Sequence, residues 1–193
     1  SAASRKLSAS GDSSASLRAI RCSAARRAER GPSPGSFASS WISRSISGPA
    51  GTALYTVGTT KNVEIGGGQQ RRYVSVDGGM SDNIRPALYA AEYSAVLANR
   101  VSPAAPVLSR VVGLHCEGGD ILVRDVFLPG DTGIGDVLAV PASGAYSRSM
   151  ASNYNHTPRP PVVSVRDGRI TTMIRRETLD DLLALDAGLD ETL

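Results

Sequence analysis

Turn-forming residues interrupt the chain at short intervals from Ser45 onward, and this spacing constrains the fold more than any other feature of the sequence. Short runs rich in Val, Ile, Thr and Tyr alternate there with Gly, Pro, Asn and Asp, a pattern typical of a barrel or sandwich. The sequence therefore predicts an all-β domain. Its candidate strands are residues 53–57, 72–76, 93–98, 109–114, 121–128, 136–140, 162–166 and 170–175.

Two local signals mark the end of this domain. Asp167-Gly168 separates the last two candidate strands and predicts a tight hairpin turn between them. Thr178 precedes a run of leucines, so we expect its side chain to cap a short C-terminal amphipathic helix.

Residues 1–43 have a different character. Fourteen of the first forty-five residues are serine, and residues 1–44 contain eight basic but only two acidic residues. Such a segment cannot bury enough apolar surface to offset the entropy of ordering it. We therefore expect residues 1–43 to form a disordered head and residues 44–193 to form the β-domain.

The charge and cysteine patterns exclude several classes of protein. The formal charge of +3 arises in the head, because residues 45–193 carry a net charge of −3. No basic stripe with interleaved aromatic residues occurs there, which argues against a nucleic-acid partner. The sequence contains no apolar run of membrane-spanning length and no recognisable export signal, so no membrane partner is expected. Cys22 and Cys116 lie in unlike segments, which favours the reducing cytoplasm over a disulfide framework.

Three loops contain polar residues that turn formation alone does not require. The first, VDGGMSDNIRPALY, directly follows a candidate strand. Its paired glycines permit a close backbone approach, and Arg85 and Tyr89 could point into one cleft.

The second loop, HCEGGD, places Cys116 beside Glu117. One interpretation is a buried structural thiol, a second is an ordinary solvated turn, and a third is a proton donor held beside a carboxylate. The loop has no second cysteine and no histidine cluster, so it does not match a zinc site.

The third loop, GAYSRSMASNYN, surrounds Tyr146 with small residues. These neighbours leave room for the ring to lie against a flat ligand, although a lone tyrosine in such a place can equally be a packing residue.

Taken together and in this order, VDGGMSDNIRPALY, HCEGGD, GAYSRSMASNYN and RRETLDDLL closely resemble the C-terminal half of the diaminopimelate decarboxylases, from Arg44 to about Asp186. The resemblance implies a Greek-key-like β-barrel or sandwich, the C-terminal domain of a fold-type III enzyme of lysine biosynthesis. In that family a (β/α)8 barrel binds pyridoxal 5'-phosphate through a lysine, and two subunits form a homodimer. The implied reaction is loss of CO2 from meso-diaminopimelate to give L-lysine, with the cofactor ring as electron sink.

The resemblance also assigns roles by position. Cys116 matches the proton donor, which acts at the site of the partner subunit, and Glu117 matches the residue that recognises the distal amino group of the substrate. Arg85 and Tyr89 match ligands of the substrate carboxylate, a task that suits the planar fork of an arginine. Tyr146 matches a residue that contacts both cofactor and substrate.

Two positions depart from the family pattern. Arg44 aligns with the last residue of a Glu-Pro-Gly-Arg motif that contacts phosphate and substrate, but Trp41-Ile42-Ser43 stands where Glu-Pro-Gly is expected. We therefore expect residues 1–43 to be a wrong-frame translation of the end of the barrel, although their composition also fits an organellar transit peptide. Gly118 replaces the usual Ser or Ala, which should loosen the loop without removing its chemistry.

Two alternatives remain open at the level of the sequence. The related ornithine and arginine decarboxylases usually place Asp after the cysteine, so Glu117 favours diaminopimelate. The chain could also be a non-catalytic fragment or pseudogene product. Its only lysines, Lys6 and Lys61, lie outside any barrel-strand context, so the isolated chain is expected to be inactive.

Overall fold

A computed structural model describes residues 47–189, so Arg44 and the predicted head, residues 1–43, lie outside the described part of the chain. The described residues form eight strands, two short α-helices and three single-turn 3-10 helices, at Gly48–Ala50, Tyr154–His156 and Ala187–Leu189. The strands are β1 (Thr52–Gly66), β2 (Gln69–Val76), β3 (Val96–Leu97), β4 (Pro106–Val112), β5 (Ile121–Pro129), β6 (Val137–Pro141), β7 (Val162–Arg166) and β8 (Arg169–Ile174). The helices are α1 (Arg85–Tyr89) and α2 (Leu179–Leu183).

Six of the strands form one sheet in the order β3-β6-β1-β2-β4-β5, and β7 and β8 form a separate hairpin. Neighbouring strands are antiparallel except for β2 and β4, which are parallel. Strand β1 pairs with β6 up to Thr56 and with β2 from Val57 onward. The two edge strands, β3 and β5, contact each other, so the sheet curls into a nearly closed barrel. The predicted all-β fold is confirmed.

The core lies inside this curled sheet. Side chains of a strand point alternately to its two faces, and the inward positions of β1, for example Tyr55 and Val57, are buried between exposed neighbours. Burial of each Val or Leu contributes about 1.5–3 kcal/mol to stability. The buried cluster comprises Tyr55, Val57, Val74, Val76, Ala95, Val111, Leu122, Val123, Leu128, Leu138 and Val140.

The structure differs from the sequence prediction at three places. Strand β1 continues to Gly66, well beyond the predicted residues 53–57, and turns through Gly66, Gly67 and Gly68, which all have positive φ. The predicted strand at residues 93–98 shortens to β3, where two residues pair with β6. Residues 85–89 form helix α1 where a loop was expected, because a proline in the first turn supports a helix start.

Both local signals near the C-terminus are confirmed. Asp167 and Gly168 have φ of 51° and 74°, which gives the hairpin β7–β8 the turn that its strand twist requires. Thr178 caps α2 in a capping box, in which its Oγ1 accepts from the backbone N–H of Asp181 at 3.3 Å. Among residues 47–189, no helix is long and apolar enough to cross a membrane.

Candidate functional site

The three polar loops leave the sheet in the same direction. Strands β2 and β6 are both antiparallel to β1, and β4 is parallel to β2, so the three strands run the same way and their C-terminal ends point to the same side. Each end is followed by one of the loops. We call them the DGG loop (residues 77–84, after β2), the Cys loop (residues 113–120, after β4) and the Tyr loop (residues 142–155, after β6).

A buried carboxylate joins the DGG loop to the Cys loop. Asp120 is almost completely buried; its Oδ1 accepts from the backbone N–H of Met80 at 2.6 Å, and its Oδ2 accepts from that of His115 at 2.8 Å. A direct backbone bond from Leu114 to the carbonyl of Gly78, at 3.0 Å, adds a second link. Because the bond from Met80 to the buried Asp120 and the bond from Leu114 to Gly78 both join the two loops, the loops are held as one unit.

Glycines make room for this carboxylate. A Cβ placed on Gly79 would lie 2.6 Å from both oxygens of Asp120, and one placed on Gly113 would lie 2.1 Å from Oδ2. Real Cβ atoms do not approach so closely, so no other residue fits at either position without a shift of the loop. The close backbone approach expected of the paired glycines is therefore observed.

A second buried contact fixes the DGG loop to β1. The hydroxyl of Tyr55 donates to Oδ2 of Asp82 at 2.5 Å, and the backbone N–H of Gly79 donates to Oδ1 at 2.6 Å. Burial raises the pKa of the Asp82 carboxyl, and burial next to Asp82 raises the pKa of the Tyr55 phenol well above its usual range. The DGG loop is thus anchored to the core before it reaches α1.

Ser81 brings the Tyr loop to the other two. Its backbone carbonyl accepts from the N–H of Ser152 at 2.8 Å, and its hydroxyl is hydrogen-bonded to Nε2 of the buried His115 at 2.9 Å. The ring of Tyr154 meets the His115 ring edge to face, with centroids 5.2 Å apart and planes at 88°. All three loops therefore meet at one cluster.

Cys116 and Glu117 lie on the outer side of this cluster. Both side chains are exposed, and Cys116 is a free thiol. The hydroxyl of Tyr154 donates to Oε1 of Glu117 at 2.6 Å, and this bond to a carboxylate raises the pKa of the Tyr154 phenol. The Cys loop thus presents a thiol and a carboxylate to solvent from a backbone fixed at its rear by Asp120.

The structure places Arg85 and Tyr89 at the two ends of α1. Arg85 is only 7% exposed and donates from Nη1 to the hydroxyl of Tyr93 at 3.0 Å. Tyr89 is 61% exposed and precedes Ala90, whose left-handed conformation ends the helix. Arg85 is therefore enclosed within this chain, and Tyr89 projects from it.

Tyr146 occupies a tight turn in the Tyr loop. Its φ is 68°, an uncommon conformation for a residue with a side chain, and its carbonyl accepts from the N–H of Met150 at 2.9 Å. Two residues earlier, Gly144 packs so closely on the start of the described chain that a Cβ there would lie 2.1 Å from the carbonyl oxygen of Ser47. Arg44 itself lies outside the described residues.

A polar clamp links the Tyr loop to the C-terminal hairpin. The carboxylate of Glu177 accepts from the backbone N–H and from Nη1 of Arg159, each at 2.8 Å, and from Nδ2 of Asn153 at 2.6 Å. The bonds from Arg159 lower the pKa of Glu177 to about 2. The clamp thus fixes the backbone next to Tyr154.

Several residues that build the cluster have no role that the sequence alone indicates. They lay inside the motifs that carried the resemblance, and motif membership was the only signal that could have marked them. These residues are Ser81, His115, Asp120, Tyr154 and Glu177.

Comparison with known proteins relates the chain to one family of decarboxylases. A family model described as "Pyridoxal-dependent decarboxylase, C-terminal sheet domain" matches residues 15–144. The diaminopimelate decarboxylase of Mycobacterium tuberculosis is 55% identical over 143 residues, which are 74% of this chain and 32% of that protein. The chain therefore spans about a third of the length of the curated relatives that it matches. The family match begins inside the predicted head, and the boundary expected at Arg44 stays a prediction.

The fold of the chain is similar to that of solved diaminopimelate decarboxylases. Diaminopimelate decarboxylase from M. jannaschii, in complex with L-lysine, has a TM-score of 0.67 and 34% identity, and the match covers 74% of this chain and 31% of that one. The enzyme from Helicobacter pylori, also with L-lysine, has a TM-score of 0.63 and 34% identity, and the match covers 74% and 33%.

Proposed function

The chain belongs to the pyridoxal-dependent decarboxylase family through its C-terminal sheet domain, and from that premise we propose that it is the sheet-domain part of a diaminopimelate decarboxylase. The observation that carries this proposal is the Cys116–Glu117 pair, which is exposed on a loop whose backbone is tied down by Asp120. A proton donor and a carboxylate held rigidly at a surface suit a site that a second protein surface completes.

The proposed reaction is the loss of CO2 from meso-diaminopimelate. When bound, pyridoxal 5'-phosphate accepts the electron pair of the broken C–C bond into its ring. The thiol of Cys116 then gives its proton to the carbon that carried the carboxylate and later recovers one from solvent, so the product is L-lysine. Proton transfer of this kind is general acid catalysis by a positioned side chain.

The other predicted residues act by binding. Glu117 receives the distal ammonium group of the substrate through its carboxylate, and Tyr89 and Arg85 bind the substrate carboxylate. Arg85 uses Nη1 for Tyr93, so the substrate contact falls to the remaining N–H groups of its guanidinium.

The described residues fit only the edge of a cofactor site. Lys61, the only lysine within residues 47–189, is exposed in the part of β1 that pairs with Tyr73 and belongs to none of the three loops. No amine of this part of the chain is therefore placed to bind the aldehyde of pyridoxal 5'-phosphate. Tyr146 is the described candidate for a contact with the cofactor, and Arg44 is a candidate beyond the described residues.

We further propose that the complete site forms in a cytoplasmic homodimer, in which Cys116 and Glu117 reach the cofactor bound by the partner subunit. Their exposure supports this arrangement, because residues 47–189 leave both side chains accessible to a second protein surface. The second candidate function is a non-catalytic chain that folds without chemistry, and the position of Lys61 favours it for the isolated chain.

Two proteins test the proposal. The first is the isolated chain with added pyridoxal 5'-phosphate. We expect it to release no CO2 from meso-diaminopimelate and to show no cofactor absorption band that borohydride removes. The second is the sheet-domain chimera, in which residues 47–189 replace the equivalent segment of the M. tuberculosis relative. We expect it to decarboxylate meso-diaminopimelate, and a folded, cofactor-loaded chimera without that activity would refute the proposed function.

A further inference from the structure

We propose that Tyr154 is a positioning residue that orients Glu117 to receive the ammonium group of a diamino acid. The inference rests on the proposed function and adds a residue that determines specificity. Tyr154 would touch neither the cofactor nor the reacting carbon, since it acts through Glu117.

The contact between the two side chains selects one carboxylate oxygen. The phenol of Tyr154 donates to Oε1 of Glu117 at 2.6 Å, the length of a charge-assisted hydrogen bond. An exposed glutamate otherwise samples many rotamers, because its side chain has three rotatable bonds. Among residues 47–189, Oε2 has no hydrogen-bond donor, so this oxygen is fully available to accept from an ammonium group.

Tyr154 is itself fixed on two sides. Its ring packs edge to face on His115, which is buried and bonded to Ser81. Its backbone follows Asn153, whose side-chain amide donates to Glu177 at 2.6 Å and to the carbonyl of Thr157 at 3.2 Å. Because both its ring and its backbone are fixed, Tyr154 can restrict the conformation of the flexible Glu117 side chain.

Core packing alone does not account for this tyrosine. Its side chain is 37% exposed, whereas a packing tyrosine such as Tyr55 is 4% exposed. The phenol meets an exposed carboxylate, and a phenol is protonated at neutral pH, so it can serve there as a hydrogen-bond donor. Geometry and protonation therefore agree on one role, which is to hold the Glu117 carboxylate.

The substitution Tyr154→Phe in the sheet-domain chimera tests this role, because it removes the hydroxyl and keeps the ring on His115. The readout is discrimination between meso-diaminopimelate and 2-aminopimelate, which lacks the distal amino group. Loss of a hydrogen bond to a charged group weakens binding by about tenfold or more. We expect kcat/KM for meso-diaminopimelate to fall by about tenfold, mainly through KM, and that for 2-aminopimelate to change by less than about twofold.

Tyr73→Phe is the matched control, since Tyr73 lies on β2 outside the three loops and its contact with Arg110 uses only the ring. It should leave both substrates unaffected. An equal loss on both substrates in Tyr154→Phe, or no loss on either, would overturn the inference while leaving the proposed function intact. A parent chimera that is inactive on meso-diaminopimelate would overturn the proposed function and this inference together.

A spectroscopic measurement on the full chain tests the contact itself, independently of activity. In a ¹³C-tyrosine-labelled chain, the Tyr154 signal is assigned by its loss in Tyr154→Phe. We expect Glu117→Gln to lower the pKa of the Tyr154 phenol, because the acceptor loses its charge. An unchanged phenol pKa would show that the two side chains do not interact and would overturn the inference.

Discussion

The carboxylate of Asp120 lies 2.1 Å from the point where a Cβ on Gly113 would stand, so these two residues approach as closely as a glycine allows. The backbone N–H of Gly113 also donates to the carbonyl of Asp120 at 2.9 Å. The pair closes the base of the Cys loop, and the same carboxylate holds the backbone of Met80 in the DGG loop. The position of Cys116 and Glu117 thus depends on a residue that has no side chain.

Gly113→Ala should therefore destabilise the chain. The new methyl group displaces a buried carboxylate from its donors, and overpacking and a lost buried hydrogen bond each cost about 1–3 kcal/mol. Urea unfolding measures the change. The matched control is Gly118→Ala in the same loop, where nothing lies within 4 Å of the added Cβ. We expect the control to change the free energy of unfolding by less than about 0.5 kcal/mol. Equal effects of the two substitutions would show that the close contact between Gly113 and Asp120 does not stabilise the loop.

The Glu177 clamp should make the Tyr loop sensitive to acid. Hydrogen bonds from Arg159 lower the pKa of Glu177 from 4.5 to about 2, so the folded state favours the ionised carboxylate. The stabilisation is fully present above pH 4.5 and is lost as the pH falls towards 2. Between these values, the free energy of unfolding should decrease more steeply in the native sequence than in Glu177→Gln. Exchange of the Arg159 backbone amide, which donates to Glu177, should accelerate over the same range, and parallel curves for the two proteins would exclude the clamp.

Cys116→Ala in the sheet-domain chimera should lower turnover by about 10² to 10⁴, the usual contribution of a general acid, and leave the cofactor bound. Single-turnover kinetics and the cofactor absorption spectrum measure the two quantities. A loss of less than about threefold would refute the role of proton donor. Mixing this variant with one that lacks the cofactor-binding lysine should restore part of the activity if the donor acts across the dimer, and no restoration would argue against action in trans.

The origin of residues 1–43 is testable at the level of the gene. We propose that they are a wrong-frame translation, because Trp41-Ile42-Ser43 stands where Glu-Pro-Gly is expected before Arg44, although the family model already matches from residue 15. The nucleotide sequence upstream of the Arg44 codon decides the question. A shifted frame that encodes Glu-Pro-Gly directly before Arg44 supports the proposal, and its absence from both shifted frames removes it.

The sequence predicted best those elements whose cause is local. Asp167-Gly168 specifies a turn by backbone conformation alone, and Thr178 caps α2 through the N–H of Asp181 in the first turn of the helix. The second half of β1 was missed because Thr59, Lys61 and Asn62 show no apolar alternation. That segment is a strand because β2 pairs with it, and pairing is a tertiary effect that overrides propensity.

The candidate site likewise contains residues that the local sequence indicates and residues that only tertiary contacts identify. Motif order brought attention to the three loops and to the predicted roles of Cys116 and Glu117. It could not show that Asp120 faces the DGG loop or that Tyr154 reaches Glu117, since these contacts join residues that only the sheet order brings together. The residue type and the flanking sequence indicate Cys116 and Glu117. The contacts of Asp120 and Tyr154, which hold them, require the three-dimensional structure.

The two partners of β1 set an order of events during synthesis. Residues from Val57 onward meet β2 as soon as the next few residues leave the ribosome, whereas Thr52 has no partner in the sheet until Pro141 has been made. Pairing between such distant segments is slow, because the long intervening chain must first be ordered. A nascent chain that has already exposed Cys116 and Glu117 therefore still holds an open sheet edge, and translation must continue through β6 before the barrel can close.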